Sequence, residues 1–246
     1  MSTYGLLGYP LAVSFSPAFF AEKFKQLDLP HSYELFPMEG VSELRSWLEM
    51  RTEIVGLNVT IPHKQAVLPQ LDFLTLEARA VGAVNTIGIQ RQPFRLTGHN
   101  SDVVGFRETL LSFLGEARPP ALVCGTGGAA RAVWYVLAEL GIPFLKLGRI
   151  AQEGTLAYEE LTAAQAHSHR LWINTSPLGM EPTYAGQRPA LPYDILGTNH
   201  CLYDLVYYPA ETPFLKAGRE RGAKTQNGMA MLHAQAEASW HFWQNL

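Results

Sequence analysis

Apolar residues recur along this chain in two rhythms. Short apolar runs broken by turn residues read as strands: Tyr4 to Gly8, His31 to Phe36, Val55 to Thr60, Ala83 to Ile87, a run beginning at Leu96, Ala121 to Cys124, Ile142 to Leu147, Leu171 to Asn174 and Cys201 to Tyr207. Between them, apolar positions return at helical spacing. Such stretches start at Pro17 and Pro62, cover Ser42 to Met50 with Leu44, Trp47 and Leu48 on one face, and cover Phe106 to Leu114. Others run to Leu140, from Tyr158 to Ala166, and from Thr212-Pro213 to Gly222. The last, Gly228 to Trp243, places Met231, Ala234, Gln235, Ala238 and Phe242 near one stripe. Alternation of this kind predicts an α/β fold, with a parallel, doubly wound sheet from residue 121 onward. Gly115 to Pro120 is a loop and marks the first domain boundary. Gln235 is the discordant position in its stripe, because a polar amide on a buried face needs partners.

One junction carries a specific chemical implication. The run Ala121 to Cys124 meets Gly125, Thr126, Gly127, Gly128 and Ala129, and a helical pattern follows. In a strand-turn-helix of this kind Gly125 takes the sharp turn, Gly127 leaves room for a pyrophosphate, and Ala130 lets helix and strand pack closely. The first amides of the helix then face an anion. A plain tight turn has the same glycines, so the flanking strand and helix are what favour a dinucleotide. The next strand ends in Gly148-Arg149, where a cofactor with a free 2′-hydroxyl calls for an acidic residue. Arginine at that point suits a 2′-phosphate and favours NADP over NAD, unless it is a solvated surface residue.

Polar side chains gather at the predicted strand ends of the first half. They are Ser14, Ser16, Thr60, Lys64, Asn85, Asn100 and Asp102. Hydroxyls, amides, one cation and one carboxylate together suit a small, hydroxyl-rich ligand with a negative group, and a lysine beside an aspartate can form a proton-transfer pair. Each has a plainer reading as well: Ser16 as the cap of a helix opened by Pro17, Lys64 as a solvated lysine.

Composition narrows the class. The 246 residues allow one large or two modest domains, and 47% hydrophobic with 17% charged residues describes a globular enzyme. A net charge of -3 provides no attraction for nucleic acid or anionic membrane. The amino terminus lacks the basic start and long apolar core of a signal peptide, so the protein is expected in the cytoplasm. Its two cysteines, Cys124 and Cys201, lie in apolar runs and read as buried, inert thiols. The eight histidines do not converge, so no metal is expected.

Taken together, the segments SFSP, GLNVTIPHK, GAVNTI, GHNSD, GTGGAARA, NTSPLGM, DLVYYPAETPFL and NGMAMLHAQ, in this order over nearly the whole chain, closely resemble the shikimate dehydrogenase family. The resemblance implies reversible reduction of 3-dehydroshikimate to shikimate with NADPH, in the pathway to chorismate and the aromatic amino acids. It implies a substrate-binding and catalytic α/β domain over residues 1–104 and 226–246, to which the C-terminal helix returns, and a Rossmann NADP-binding domain over 105–225. By the same resemblance, Ser14, Ser16, Thr60, Asn85, Tyr207 and Gln235 would hold substrate, with Lys64 and Asp102 the catalytic pair. Gly125, Thr126, Gly127, Gly128, Ala129, Arg149, Asn174, Leu205 and Gly228 would line NADP. A small-molecule substrate is then the expected partner, with no nucleic acid or membrane, in a monomer or homodimer. The chain departs from the family where Asn-Arg-Thr becomes Gly148-Arg149-Ile150, which predicts a weaker NADP preference, and where Asn-Thr-Asp becomes Asn100-Ser101-Asp102. The alternatives are a related enzyme acting on quinate, which Ser14, Ser16 and Tyr207 argue against, and a silent ligand-binding paralogue, which Lys64 and Asp102 argue against.

Overall fold

A computed structural model of the protein describes residues 2–11 and 14–246. The chain divides into two compact units, Met1–Val104 with Gln235–Leu246, and Gly105–Ala234. The first unit runs β1 (Thr3–Gly8), α1 (Ser16–Gln26), β2 (Ser32–Pro37), α2 (Leu44–Met50), β3 (Ile54–Val59), β4 (Phe73–Leu74), α3 (Leu76–Val81), β5 (Thr86–Arg91) and β6 (Phe94–His99). Helix α4 (Ser101–Leu114) starts in this unit and passes into the second. There follow β7 (Ala121–Cys124), α5 (Gly128–Glu139), β8 (Phe144–Gly148), β9 (Leu156–Ala157), α6 (Ala163–Ser168), β10 (Leu171–Asn174), β11 (Cys201–Asp204), α7 (Pro213–Glu220) and β12 (Lys224–Gln226). The last helix, α8 (Met229–Gln244), begins in the second unit and ends in the first.

The sheet of the second unit has the order β12-β11-β10-β7-β8-β9 and is parallel at every pairing. Strands β7 and β10 are buried at all their residues, which is why they are continuous apolar runs without alternation. Because β8 and β10 flank β7 on opposite sides, the order reverses at β7, and the carboxyl end of that strand is a switch point. The doubly wound architecture expected from the alternating pattern is therefore present.

The first unit carries a mixed sheet, β2-β1-β3-β5-β6-β4, in which only β5 is antiparallel to its two neighbours. Its core joins Leu7, Leu44, Leu48, Leu57, Ile87 and Leu96. A second, aromatic cluster holds α1 and α8. Phe20 and Phe24 recur one turn apart on α1, Phe20 stacks on Tyr33 at 4.5 Å, and both pack with Tyr4, Ala236 and Trp243. Gly56 and Gly88 are register partners on β3 and β5. A Cβ on the first would lie 2.6 Å from Trp243 Nε1, and one on the second 1.7 Å from Leu246 Cδ1, so the paired glycines let the chain's end lie close on the sheet.

Several local expectations change. No α-helix starts at Pro62; residues 61–67 form successive turns, and the Lys64 carbonyl accepts from Val84 N at 2.7 Å instead of serving a helix. The segment from Tyr158 to Ala166 is a 3₁₀ turn (Tyr158–Glu160) followed by α6, which Thr162 caps by accepting from Gln165 N. Helix α1 starts at Ser16 with Phe15 as its cap residue, so Ser16 is not the N-cap. On α8 the buried positions are Met231, Ala236, Ser239 and Trp243 rather than Ala234 and Ala238. The stripe is rotated so that Trp243 lies against Gly56, while Phe242 and Leu246 lie against Gly88.

Candidate functional site

Antiparallel β5 is what assembles the polar group of the first unit. Strands β1, β3 and β6 all end at one edge, and β5, running the other way, starts there: Thr86 is opposite Asn58 on one side and His99 on the other. Asn85 therefore precedes its strand and sits among carboxyl ends. Its carbonyl accepts from Val59 N at 2.8 Å and its amide donates to the His99 carbonyl at 3.2 Å. Thr60, just beyond β3, is anchored by its amide to the Leu7 carbonyl at 2.8 Å. Asp102 follows β6 in the first turn of α4, where the exposed amide dipoles favour a carboxylate.

Lys64 and Asp102 meet as an ion pair, Nζ to Oδ2 at 2.6 Å, with side chains 17% and 9% exposed. Asp102 Oδ1 accepts from Asn85 Nδ2 at 2.9 Å, so each carboxylate oxygen has its own donor. The Asn85 amide is oriented unambiguously. Its Oδ1 accepts from the backbone amide of Ser101 at 2.7 Å, which turns Nδ2 toward Asp102. Ser16 is buried and its amide donates to Ser14 Oγ at 3.3 Å, so these two hydroxyls belong to one local turn. Gln235, half-buried on α8, accepts from Ser101 Oγ through Oε1 at 3.3 Å, which answers the need for a partner in the stripe. Lys64, Asp102, Asn85 and Gln235 are thus linked through direct contacts or Ser101.

The glycine turn in the second unit has the expected local form. Gly125 has φ 122, its amide donates to the Leu147 carbonyl at 2.8 Å, and a Cβ there would lie 2.4 Å from Thr175 Oγ1. Gly127 is the N-cap residue of α5, and no side chain caps that helix. A Cβ on Gly127 would meet no protein atom within 4 Å. Nothing inside the fold demands glycine there, and the uncapped amides of α5 suit a phosphate. Thr126 is exposed, Ala129 half-buried, and Arg149 is exposed at the end of β8. These residues fit the phosphates of a dinucleotide.

Asn174, Leu205 and Gly228 act differently from an open lining. Asn174 is fully buried; Nδ2 donates to the Leu178 carbonyl and Asp204 Oδ1, and Oδ1 accepts from Ser176, so the side chain shapes the Asn174 to Leu178 turn. Gly228 donates to the Val206 carbonyl at 3.0 Å, and a Cβ on it would fall 2.0 Å from the Leu205 carbonyl oxygen. Tyr207 follows β11, which ends at Asp204, and is half-buried. Burial pushes the Cys124 thiol up to about 12, and Cys201 is also raised by burial, so neither is a ready nucleophile. Among the described residues no group of His, Cys, Asp and Glu could hold a metal ion, and no helix is long and apolar enough to cross a membrane.

Sequence reasoning did not single out Tyr33, Asn58, Thr86, Ser101, Ser239 or Asp204. All belong to hydrogen-bond networks behind the nominated residues. Asn58 in an apolar strand, and Ser239 one helical turn beyond Gln235, were the available signals.

Comparison with known proteins identifies the family. A family model described as the shikimate dehydrogenase substrate binding domain matches residues 6–87. The shikimate dehydrogenase (NADP(+)) of Carboxydothermus hydrogenoformans is 37% identical over 97% of this chain and 90% of its own length. That of one strain of Thermus thermophilus is 36% identical over 100% of this chain and 94% of its own. Among solved structures, the shikimate 5-dehydrogenase from another strain of Thermus thermophilus, in complex with NADP(H) and shikimate, superposes with a TM-score of 0.87 at 34% identity, covering 100% of this chain and 94% of that one. With relatives this similar along its whole length, and with the α/β topology they require, the chain belongs to the shikimate dehydrogenase family.

Proposed function

We propose that the protein catalyses the reversible, NADPH-dependent reduction of 3-dehydroshikimate to shikimate, in the cytoplasm, on the route to chorismate and the aromatic amino acids. The observation that carries this reading is the Lys64–Asp102 pair at 2.6 Å with Asn85 on the second carboxylate oxygen. When bound, NADPH supplies the hydride. The chain's own task is the proton: reduction of a carbonyl leaves negative charge on the substrate oxygen, and an ammonium group stabilises that charge and donates to it. In this reading Asp102 holds Lys64 aimed, while Ser14, Ser16, Thr60, Asn85, Tyr207 and Gln235 hold the hydroxyls and carboxylate of the substrate. The residues around Gly125 to Ala129 take the phosphates, Arg149 takes the 2′-phosphate, and Asn174, Leu205 and Gly228 shape the rest of the cofactor's surroundings. Residues 1–104 with the end of the chain then serve substrate, and the parallel sheet serves NADP.

The test is the initial rate of cofactor reduction with shikimate, run in parallel with NADP and NAD and with quinate as competitor substrate. Turnover of shikimate with NADP is the expected result. Comparable rates with NAD would show that Gly148 and the 73% exposed Ile150 leave Arg149 too little support to select the phosphate. No rate with either cofactor, but measurable shikimate binding, would sink the enzymatic reading.

A further inference from the structure

Ser239 lies on α8 and is fully buried. Its hydroxyl is the hub of a polar cluster drawn from four elements. Asn58 Nδ2 on β3 donates to it at 2.8 Å, Thr86 Oγ1 at the start of β5 and Ser101 Oγ on α4 each lie 2.9 Å away, and it donates to the Gln235 carbonyl at 2.9 Å. Thr86 and Ser101 are also fully buried. Such a cluster is costly unless every member is partnered, and a satisfied one holds its members in a single arrangement.

What the cluster holds is the catalytic end of the unit. Ser101 Oγ lies 3.2 Å from Asn85 Oδ1 and accepts from Asn85 Nδ2 at 3.0 Å, and Thr86 Oγ1 lies 3.2 Å from Asn85 Oδ1. Asn85 in turn occupies Asp102 Oδ1, which leaves Oδ2 for Lys64. On the other side, Asn58 Oδ1 accepts from Tyr33 at 2.8 Å, so the Asn58 amide group is turned toward Ser239. Neither Ser239 nor Thr86 is among the residues nominated to touch substrate.

We propose that Ser239 is a positioning residue for the proton-transfer pair: through Ser101 and Thr86 it fixes the Asn85 amide, and through Asn85 it fixes which oxygen of Asp102 faces Lys64. This rests on the reading of Lys64 and Asp102 as the reacting pair. Removing the hydroxyl takes the shortest contact from Asn58 Nδ2, Thr86 Oγ1 and Ser101 Oγ at once, and reacting groups are sensitive to small misplacements.

The experiment compares the parent with Ser239→Ala, with Ser239→Thr, which restores a hydroxyl, and with Thr86→Val, which keeps volume and loses one. Three readouts are taken: the kcat–pH profile for shikimate oxidation, NADP affinity, and the rate at which acetic anhydride acylates Lys64, followed by peptide mass spectrometry. Ser239→Ala is expected to lower kcat about ten-fold, displace the limb of its pH profile and speed Lys64 acylation, with NADP affinity unchanged. Thr86→Val should move each readout in the same direction by less, and Ser239→Thr should recover most of the loss. A parental kcat, pH profile and acylation rate in Ser239→Ala, even with a lowered melting temperature, overturns the proposal. If Ser239→Ala does not fold, the same outcomes in Thr86→Val decide it. If the parent itself fails to oxidise shikimate, the functional reading falls, whereas faster Lys64 acylation in the variants still supports positioning of the pair.

Discussion

Asp204 provides a test of whether buried chemistry behind the Asn174 to Leu178 turn follows from the contacts described. It is fully buried at the end of β11. Oδ1 accepts from Asn174 Nδ2 at 2.9 Å and Val206 N at 3.0 Å, and Oδ2 from Thr212 Oγ1 at 2.6 Å. All three donors are neutral, so burial outweighs them and the carboxyl is pushed up from its ordinary 3.8 to about 7. The unfolded chain releases this proton near pH 4, whereas the native state keeps it to about pH 7. Across that window the native state binds a proton that the unfolded state does not. Stability therefore falls as pH rises, and the loss is complete above about pH 7. At about 1.4 kcal/mol per unit the whole shift is worth roughly 4 kcal/mol, of which about 2 to 3 fall between pH 5 and pH 7.

Asp204→Asn isolates this contribution. The Asn oxygen still accepts from Asn174 and Val206, and its amide can donate to Thr212 once that hydroxyl turns, so the fold is kept and the titration removed. Urea unfolding followed by tryptophan fluorescence, to which Trp172, fully buried in the same core, contributes, measures both proteins from about pH 5 to about pH 8. The variant's advantage over the parent is expected to widen by about 2 kcal/mol as pH rises and to level off above about pH 7. Parallel pH dependence in the two proteins would refute the argument that burial, not hydrogen bonding, governs this carboxyl.

Other predictions address the site directly. Lys64→Ala and Asp102→Asn should each lower kcat by at least about 10²-fold, with the double variant little worse than either single because the two act as one pair; near-parental rates would remove them from the mechanism. Gly127→Ala, whose Cβ meets no protein atom, should melt like the parent yet bind NADP about ten-fold more weakly in a fluorescence titration. Gly228→Ala should instead lose stability by upward of about 2 kcal/mol, since its Cβ would strike the Leu205 carbonyl; melting curves of the two variants separate a ligand-facing glycine from a packing glycine.

Much of this molecule was readable before folding. The buried runs of β7 and β10, the helical return of Val133, Val136 and Leu137 on α5, and the glycines between strand and helix are local signals, and local geometry turned them into a parallel sheet with a phosphate-competent turn. The residue types of the candidate site were equally visible: a lysine, an aspartate, an asparagine and paired serines at strand ends. What the chain alone did not determine was how they join. Asn85 reached the carboxyl ends of β1, β3 and β6 because β5 runs antiparallel, and strand direction is decided by pairing partners distant in sequence. The turns after Pro62 replaced a helix because the Lys64 carbonyl found Val84. Ser239 is an unremarkable serine in an Ala-rich helix by its neighbours in sequence. It became the hub of a buried network when Gly56 let Trp243, and Gly88 let Phe242 and Leu246, approach the sheet and set the rotation of α8. Residue type and periodicity determined the elements and the available chemistry, and long-range packing alone determined which polar groups were enclosed together and had to satisfy one another.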